Sequence, residues 1–86
     1  MSMNQVANTD PRLRWQCRRG MLELDELLQN YLDRRYAHAD ANEQGAFRTL
    51  LNLSDQEIFD LFFGALAPVD PKLLHVIEQI RRAAGA

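Results

Sequence analysis

At 86 residues the chain has room for one small domain, because so short a polypeptide buries only about 60–65% of the surface that its unfolded form exposes. Its 47% apolar and 26% charged residues are typical of a folded domain rather than of a disordered segment or a membrane protein. The net charge of −2 is uneven: residues 1–19 carry four arginines and one aspartate, whereas residues 20–70 carry ten acidic residues and three arginines. A basic first segment on an acidic body favours an oriented protein contact over nucleic-acid binding, which needs a general positive excess.

Cysteine content and hydropathy indicate the compartment. Cys17 is the single cysteine, which excludes an internal disulfide or a four-cysteine zinc site and favours a reducing environment. The first ten residues lack arginine, lysine and any apolar run, unlike a secretory signal or a presequence. The most apolar stretch, 58–69, is interrupted by Asp60 and ended by Pro68, short of the roughly 20 residues that span a bilayer. We therefore expect a cytoplasmic protein without membrane insertion.

The pattern predicts a flexible tail over residues 1–9 and a single helical domain over residues 10–86. Asp10-Pro11 is a typical helix start, so a first helix should run from Pro11 to about Arg18 with Leu13 and Cys17 facing inward. Gly20 can adopt the left-handed conformation that ends a helix, and it should separate this helix from the next.

The second helix has the clearest pattern, a stripe at the spacing of one buried face. The stripe comprises Leu24, Leu27, Leu28, Tyr31, Leu32 and Arg35. At about 100° per residue, Glu23 lies away from this stripe together with Glu26, Asn30 and Asp33, so Glu23 should face solvent.

Capping motifs predict where the third and fourth helices begin. Residues 37–41 form the connection between helix two and helix three. Asp40 and Glu43 resemble a capping box for helix three, whose buried side would be Phe47, Leu50 and Leu51. Ser54 and Glu57 form a second capping box, followed by Ile58, Phe59, Leu61, Phe62, Phe63 and Leu66. These six are apolar nearly all round, which favours a central position for helix four.

The last helix should start at Asp70-Pro71, after a stop at Gly64 and a connection over residues 65–69. Its stripe comprises Leu73, Val76, Ile77, Ile80 and Ala84, and Arg81 and Arg82 would complement the dipole at its end. The predicted fold is an all-α, compact five-helix bundle.

Enzymatic chemistry has few candidates in this sequence. His38 and His75 are the only imidazoles, and neither has cysteine or carboxylate at metal-ligand spacing, so we expect no metal site. The glycines occur singly, so no phosphate-binding loop is predicted. We expect a protein that is not an enzyme.

The junction of the first two helices, residues 15–25, is the best candidate site, and we call it the corner. Arg19, Gly20 and the outward Glu23 fit docking, because a partner backbone can approach a residue without Cβ while the charged groups bond on either side. Each residue also has a structural interpretation: the arginines as a solvated face, Gly20 as a helix stop, and Glu23 as an acid stabilised by the helix dipole. Trp15 is either a core residue or a contact anchor.

The segment Arg14-Trp15-x-Cys17-Arg18-Arg19-Gly20-Met21-x-Glu23-Leu24-Asp25 closely resembles the signature of the SdhE family, the small FAD assembly (flavinylation) factors of succinate dehydrogenase, with the hallmark Arg-Gly-x-x-Glu. The resemblance continues through Phe47-x-x-Leu50-Leu51 and the Leu61-Phe62 region and covers about residues 12–82. The alanine-rich stretch 37–45 departs from it, which leaves the boundaries of helix three open.

The resemblance implies a non-enzymatic protein that binds the flavoprotein subunit of succinate dehydrogenase, or of fumarate reductase, and promotes covalent attachment of FAD to a histidine there. Arg19, Gly20 and Glu23 occupy the hallmark positions; Arg18, Trp15 and Asp25 are supporting partner-binding candidates. We expect a monomer that holds its client so that flavin and histidine are aligned, without stable FAD binding of its own.

Two other functions stay open from the sequence. One is an antitoxin-type interaction module paired with a small membrane toxin, which relatives of this family also suggest. The other is a small nucleic-acid binder, which the acidic middle segment disfavours.

Overall fold

The computed structural model describes residues 11–64 and 70–85. The predicted tail over residues 1–9, the Asp10 cap, the connection over residues 65–69 and the burial of Leu66 lie outside these residues. The described part forms five α-helices and one 3₁₀ turn, with no strand, which confirms the all-α prediction. The helices are α1 (Pro11–Gln16), α2 (Leu22–Arg34), α3 (Ala41–Leu51), α4 (Asp55–Phe63) and α5 (Pro71–Gly85), and the 3₁₀ turn is Tyr36–His38.

The core lies where α5 packs against both α2 and α3. Tyr31 of α2 and Phe47 of α3 are fully buried there, with ring centroids 4.6 Å apart. The predicted stripes of α2 and α3 are confirmed for most of their residues. Leu27 is only partly buried, and Arg35, predicted as the last member of the α2 stripe, lies just after the helix with its side chain 42% exposed. In α5 the small buried residue near the end is Ala83 rather than the predicted Ala84.

The prediction that α4 is the central helix is wrong. Ile58, Leu61 and Phe62 are buried, but Phe63 is 44% exposed. The apolar residues of α4 extend further around the helix than its buried face, so Phe63 stays in contact with solvent. Arg81 of α5, predicted to complement its own helix, instead donates to the carbonyl of Phe62 at 2.9 Å and so caps the end of α4.

Capping differs between α3 and α4. At α4 the predicted capping box is complete: Ser54 Oγ accepts from the amide of Glu57 at 3.1 Å, and the Glu57 carboxylate accepts from the amide of Ser54 at 3.0 Å. At α3, Asp40 accepts from the amide of Glu43 at 2.8 Å, but the Glu43 side chain does not return the bond. The reciprocal half of that predicted box is wrong.

Glu43 instead lies inside the bundle at 4% exposure and joins α2, α3 and α5. Its carboxylate accepts from the Tyr31 hydroxyl at 2.7 Å and from Arg35 Nε at 2.8 Å and Nη2 at 3.0 Å, and it lies 3.0 Å from His75 Nε2. The bonds from Arg35 above all, with those from Tyr31 and His75, outweigh burial and lower the pKa of Glu43 to about 2. Burial and the bond to Glu43 raise the pKa of Tyr31.

Candidate functional site: the corner between α1 and α2

Gly20 turns the chain between α1 and α2. Its φ of +79° lies in the left-handed region, as predicted for a residue that stops a helix. A Cβ built at Gly20 would meet no atom within 4 Å, so the space beside it is open. Any other residue would therefore be disfavoured by backbone strain, about 1–2 kcal/mol, and not by a clash inside the protein.

Asp25 fixes this turn from the start of α2. One carboxylate oxygen accepts from the amide of Arg19 at 2.7 Å, and the other accepts from the amide of Gly20 at 3.1 Å. Charge-assisted bonds to two successive amides hold the loop in one conformation. Both oxygens of Asp25 thus make hydrogen bonds within the chain. This partner-binding candidate therefore stabilises the loop of the corner.

Arg19 is anchored inward and is only 13% exposed at its side chain. Its guanidinium donates to Gln16 O at 2.8 Å, to Leu53 O at 3.3 Å, to Asp55 Oδ1 at 2.9 Å, and to Leu51 O. The expectation that this charge projects towards a partner is therefore corrected. A planar group with five N–H donors satisfies several carbonyls at the end of α3 at once, which explains why it turns inward.

The exposed part of the corner is apolar as well as charged. Trp15 is 71% exposed, so its interpretation as a core residue is wrong. Leu22 is 74% exposed and was not predicted as a site residue, although it lies between Gly20 and Glu23. Glu23 is exposed, as predicted.

The charged groups of the exposed corner are Arg18 and Glu23. Both are exposed, and neither side chain makes a hydrogen bond or ion pair with residues 11–64 or 70–85. The structure therefore presents one cation, one anion and two large apolar side chains beside a bare glycine.

The interior side of the corner is closed. Cys17 is fully buried and Leu13 is 4% exposed, as predicted for the inner face of α1. Burial raises the pKa of the Cys17 thiol to about 12, which makes it a packing residue and not a nucleophile. Arg14 pairs with Asp33 and ties α1 to the far part of α2.

A concavity of about 350 Å³ adjoins the corner and begins at Glu23. Its other lining residues are Glu26, Leu27, Asn30, Phe63 and Ala84. The concavity combines two carboxylates with apolar groups. Sequence reasoning missed the contribution of Phe63 because the apolar pattern of α4 placed that residue in the core.

Two further findings concern the described part of the chain. No group of three histidine, cysteine, aspartate or glutamate side chains there is arranged to hold a metal ion. No helix there has the length and apolar character needed to cross a bilayer.

Comparison with known proteins identifies relatives over nearly the whole described region. The family model described as flavinator of succinate dehydrogenase matches residues 11–84. A protein named FAD assembly factor SdhE from Methylococcus capsulatus is 40% identical over 74 residues, covering 86% of this chain and 89% of the relative. Proteins of the same name from Shewanella oneidensis and Pseudomonas aeruginosa are 41% and 42% identical, covering 86% and 80% of this chain and 90% and 82% of the relatives.

No solved structure matches the chain significantly. The names of these relatives give no support to the antitoxin alternative. The family match spans the corner and all five helices, and it agrees with the Arg-Gly-x-x-Glu resemblance at residues 19–23. The chain therefore belongs to the family of flavinators of succinate dehydrogenase.

Proposed function

We propose that this protein binds the flavoprotein subunit of succinate dehydrogenase and promotes covalent attachment of FAD to a histidine of that subunit. Membership of the flavinator family and the shared name of its relatives support this proposal. The binding site is proposed from one observation: Trp15 is 71% exposed and Leu22 is 74% exposed, on either side of Gly20 in the sequence. Large apolar side chains so exposed beside unpaired charges are typical of a surface that a partner covers.

The physical roles divide between contact and support. Burying Trp15 and Leu22 against the client would contribute about 1.5–3 kcal/mol each, and Gly20 would let the client backbone approach closely. Arg18 and Glu23 would orient the complex by charge-assisted bonds at the edge of this apolar contact. Asp25 and Arg19 would fix the corner before binding, which reduces the entropy lost on association.

The chain would act through its client and not as a catalyst or a stable FAD binder. Holding the client in the conformation that aligns flavin and histidine can lower the barrier by several kcal/mol without a reacting group from this protein. We propose that it works as a monomer in the bacterial cytoplasm, and that the flavoprotein subunit of fumarate reductase is a second client.

A reconstitution tests this proposal. Purified client apoprotein and FAD are incubated with or without this protein, and covalent flavin is read as ultraviolet fluorescence of the client band on a denaturing gel. Wild type should increase the rate of labelling, and Trp15→Ala combined with Leu22→Ala should remove most of that increase. Leu74→Ala, which truncates another exposed leucine at 46% exposure on α5, is the matched control and should act as wild type. Equal labelling with and without the protein would refute the proposed function.

A further inference from the structure

A second concavity, of about 410 Å³, lies between the end of α2, the 3₁₀ turn and the last turns of α5. Its lining residues are Arg34, Arg35, His38, Gln79, Arg82 and Ala83. It shares no lining residue with the corner or with the concavity at Glu23, and none of these side chains is acidic. We call it the arginine pocket.

Two of its guanidinium groups are fixed by bonds within the chain. Arg34 Nη1 donates to Ala83 O at 2.9 Å, which satisfies a carbonyl at the end of α5. Arg35 donates from Nε and Nη2 to the buried carboxylate of Glu43. Since each guanidinium has five N–H groups, both arginines keep further donors beyond these bonds.

Positive charge predominates among the residues that line the pocket. Glu43 offsets Arg35, but neither Arg34 nor Arg82 has a carboxylate partner within residues 11–64 and 70–85. The C-terminal ends of α2 and α5 each contribute about half a negative charge, or about −1 together, against +2 from these two arginines. The two dipoles thus offset about half of this charge, and Glu78, one helical turn before Arg82 on α5, faces solvent outside the lining of the pocket.

We propose that the arginine pocket binds a phosphate-class oxyanion. The planar fork of a guanidinium matches a pair of phosphate oxygens, and two prefixed arginines with a third beside them suit a multiply charged anion better than chloride. The Gln79 amide and the N–H of the His38 ring add donors at the same concavity. The volume accommodates one or two phosphoryl groups, and it is within the range of small-ligand sites.

The test is an NMR titration of the full ¹⁵N-labelled chain at constant ionic strength of about 0.15 M, which keeps charge screening equal in every sample. Orthophosphate and pyrophosphate are the probes, and the Arg Nε–H signals together with the Gln79 and Ala83 amides are the readout. We expect saturable shifts at these groups, with pyrophosphate binding more tightly than orthophosphate. Adenosine diphosphate separates the two sources of a phosphoryl group: affinity equal to that of pyrophosphate indicates the phosphoryl groups alone, and higher affinity indicates a nucleotide.

Matched arginine variants locate the site. Arg82→Gln, at an exposed position without a carboxylate partner in the described part, should weaken pyrophosphate binding about tenfold, as expected for one charge-assisted bond. Arg34→Gln should weaken it similarly, and Arg18→Gln, which removes the same charge at the corner, should leave it unchanged. Shifts that do not saturate, or an equal loss in Arg18→Gln and Arg82→Gln, would overturn the proposal in favour of diffuse charge attraction.

Discussion

Asp25 accepts hydrogen bonds from the amides of both Arg19 and Gly20, so a carboxylate in α2 determines the shape of the loop before it. This relationship separates two kinds of residue within one short motif. Trp15, Leu22 and Glu23 are exposed and available to a partner, whereas Asp25 and Arg19 hold the backbone that presents them. The two kinds should respond differently to mutation.

Asp25→Asn should loosen the corner. An amide oxygen can replace one carboxylate bond without its charge, so we expect a loss of about 1–2 kcal/mol in the free energy of unfolding and weaker client capture. Urea unfolding and a pull-down with the client flavoprotein measure the two effects. Asp60→Asn on α4 is the control, and native stability and capture in Asp25→Asn would contradict the role of its carboxylate.

The adjacent arginines give a matched pair for a second prediction. Arg19→Lys should lower the free energy of unfolding by about 2 kcal/mol, because one ammonium cannot serve the carbonyls of Gln16, Leu51 and Leu53 together. Arg18→Lys changes an exposed side chain and should stay within about 0.5 kcal/mol of wild type. Urea midpoints decide this, and equal losses in the two variants would show that the buried anchoring contributes nothing.

At the Arg-Gly-x-x-Glu motif, the loss of a partner contact and the strain of the backbone can be measured separately through their effects on client capture. Glu23→Ala should leave helicity and the melting temperature nearly unchanged and weaken client capture. Gly20→Arg should weaken capture more than Glu23→Ala does, because it strains the turn by about 1–2 kcal/mol and fills the open space beside it. Circular dichroism and a pull-down measure both variants; unfolding of Glu23→Ala, or wild-type capture by Gly20→Arg, would refute the assignment.

Glu43 predicts a specific acid sensitivity. Its pKa is lowered from 4.5 to about 2 in the folded protein, so the unfolded chain binds the proton more readily and acid favours unfolding. The stabilisation is present above the ordinary pKa and disappears as the pH falls from about 5 to about 2; its size is up to about 3 kcal/mol. Urea unfolding between about pH 2 and about pH 6 should show a flatter pH profile, and lower stability at the upper end, for Glu43→Gln than for wild type. The same profile in both proteins would contradict this, and Glu26→Gln serves as an exposed control.

Cys17 should resist alkylation. Its thiol is fully buried and its pKa is raised to about 12, so little thiolate exists at about pH 8. Iodoacetamide followed by mass spectrometry should label the native protein slowly and the urea-unfolded protein rapidly. Rapid labelling of the native chain would show that the inner face of the corner opens.

Periodicity predicted the helices well because each long helix buries one face, and the caps at Gly20 and Ser54 depend only on neighbouring residues. The burial of Glu43 was harder to predict. Arg35 follows the spacing of the α2 stripe, and Glu43 lies one helical turn before Ala46 and Phe47 on the buried side of α3. Two opposite charges at the spacing of two apolar stripes were a signal of an ion pair between the helices, but a capping motif gave Glu43 a local explanation.

The direction of Arg19 could not be predicted from its neighbours. Its acceptors at Leu51 and Leu53 are carbonyl groups, which the sequence does not distinguish from one position to another. Only the packing of the α3–α4 turn against the corner places them within reach. Likewise, Trp15 is exposed because the inner side of so short a helix is already occupied by Leu13 and Cys17.

Arg19 depends on Leu51, 32 positions later in the chain, and this dependence limits how the proposed docking corner can be copied. A synthetic peptide of residues 11–34 would carry every letter of the motif and none of the carbonyl groups of the α3–α4 turn that orient its guanidinium. Inhibitors or grafts derived from that segment alone would keep the bonds of Asp25 to the loop but lose the acceptors that turn the Arg19 side chain inward. A faithful mimic therefore needs the α3–α4 turn as well.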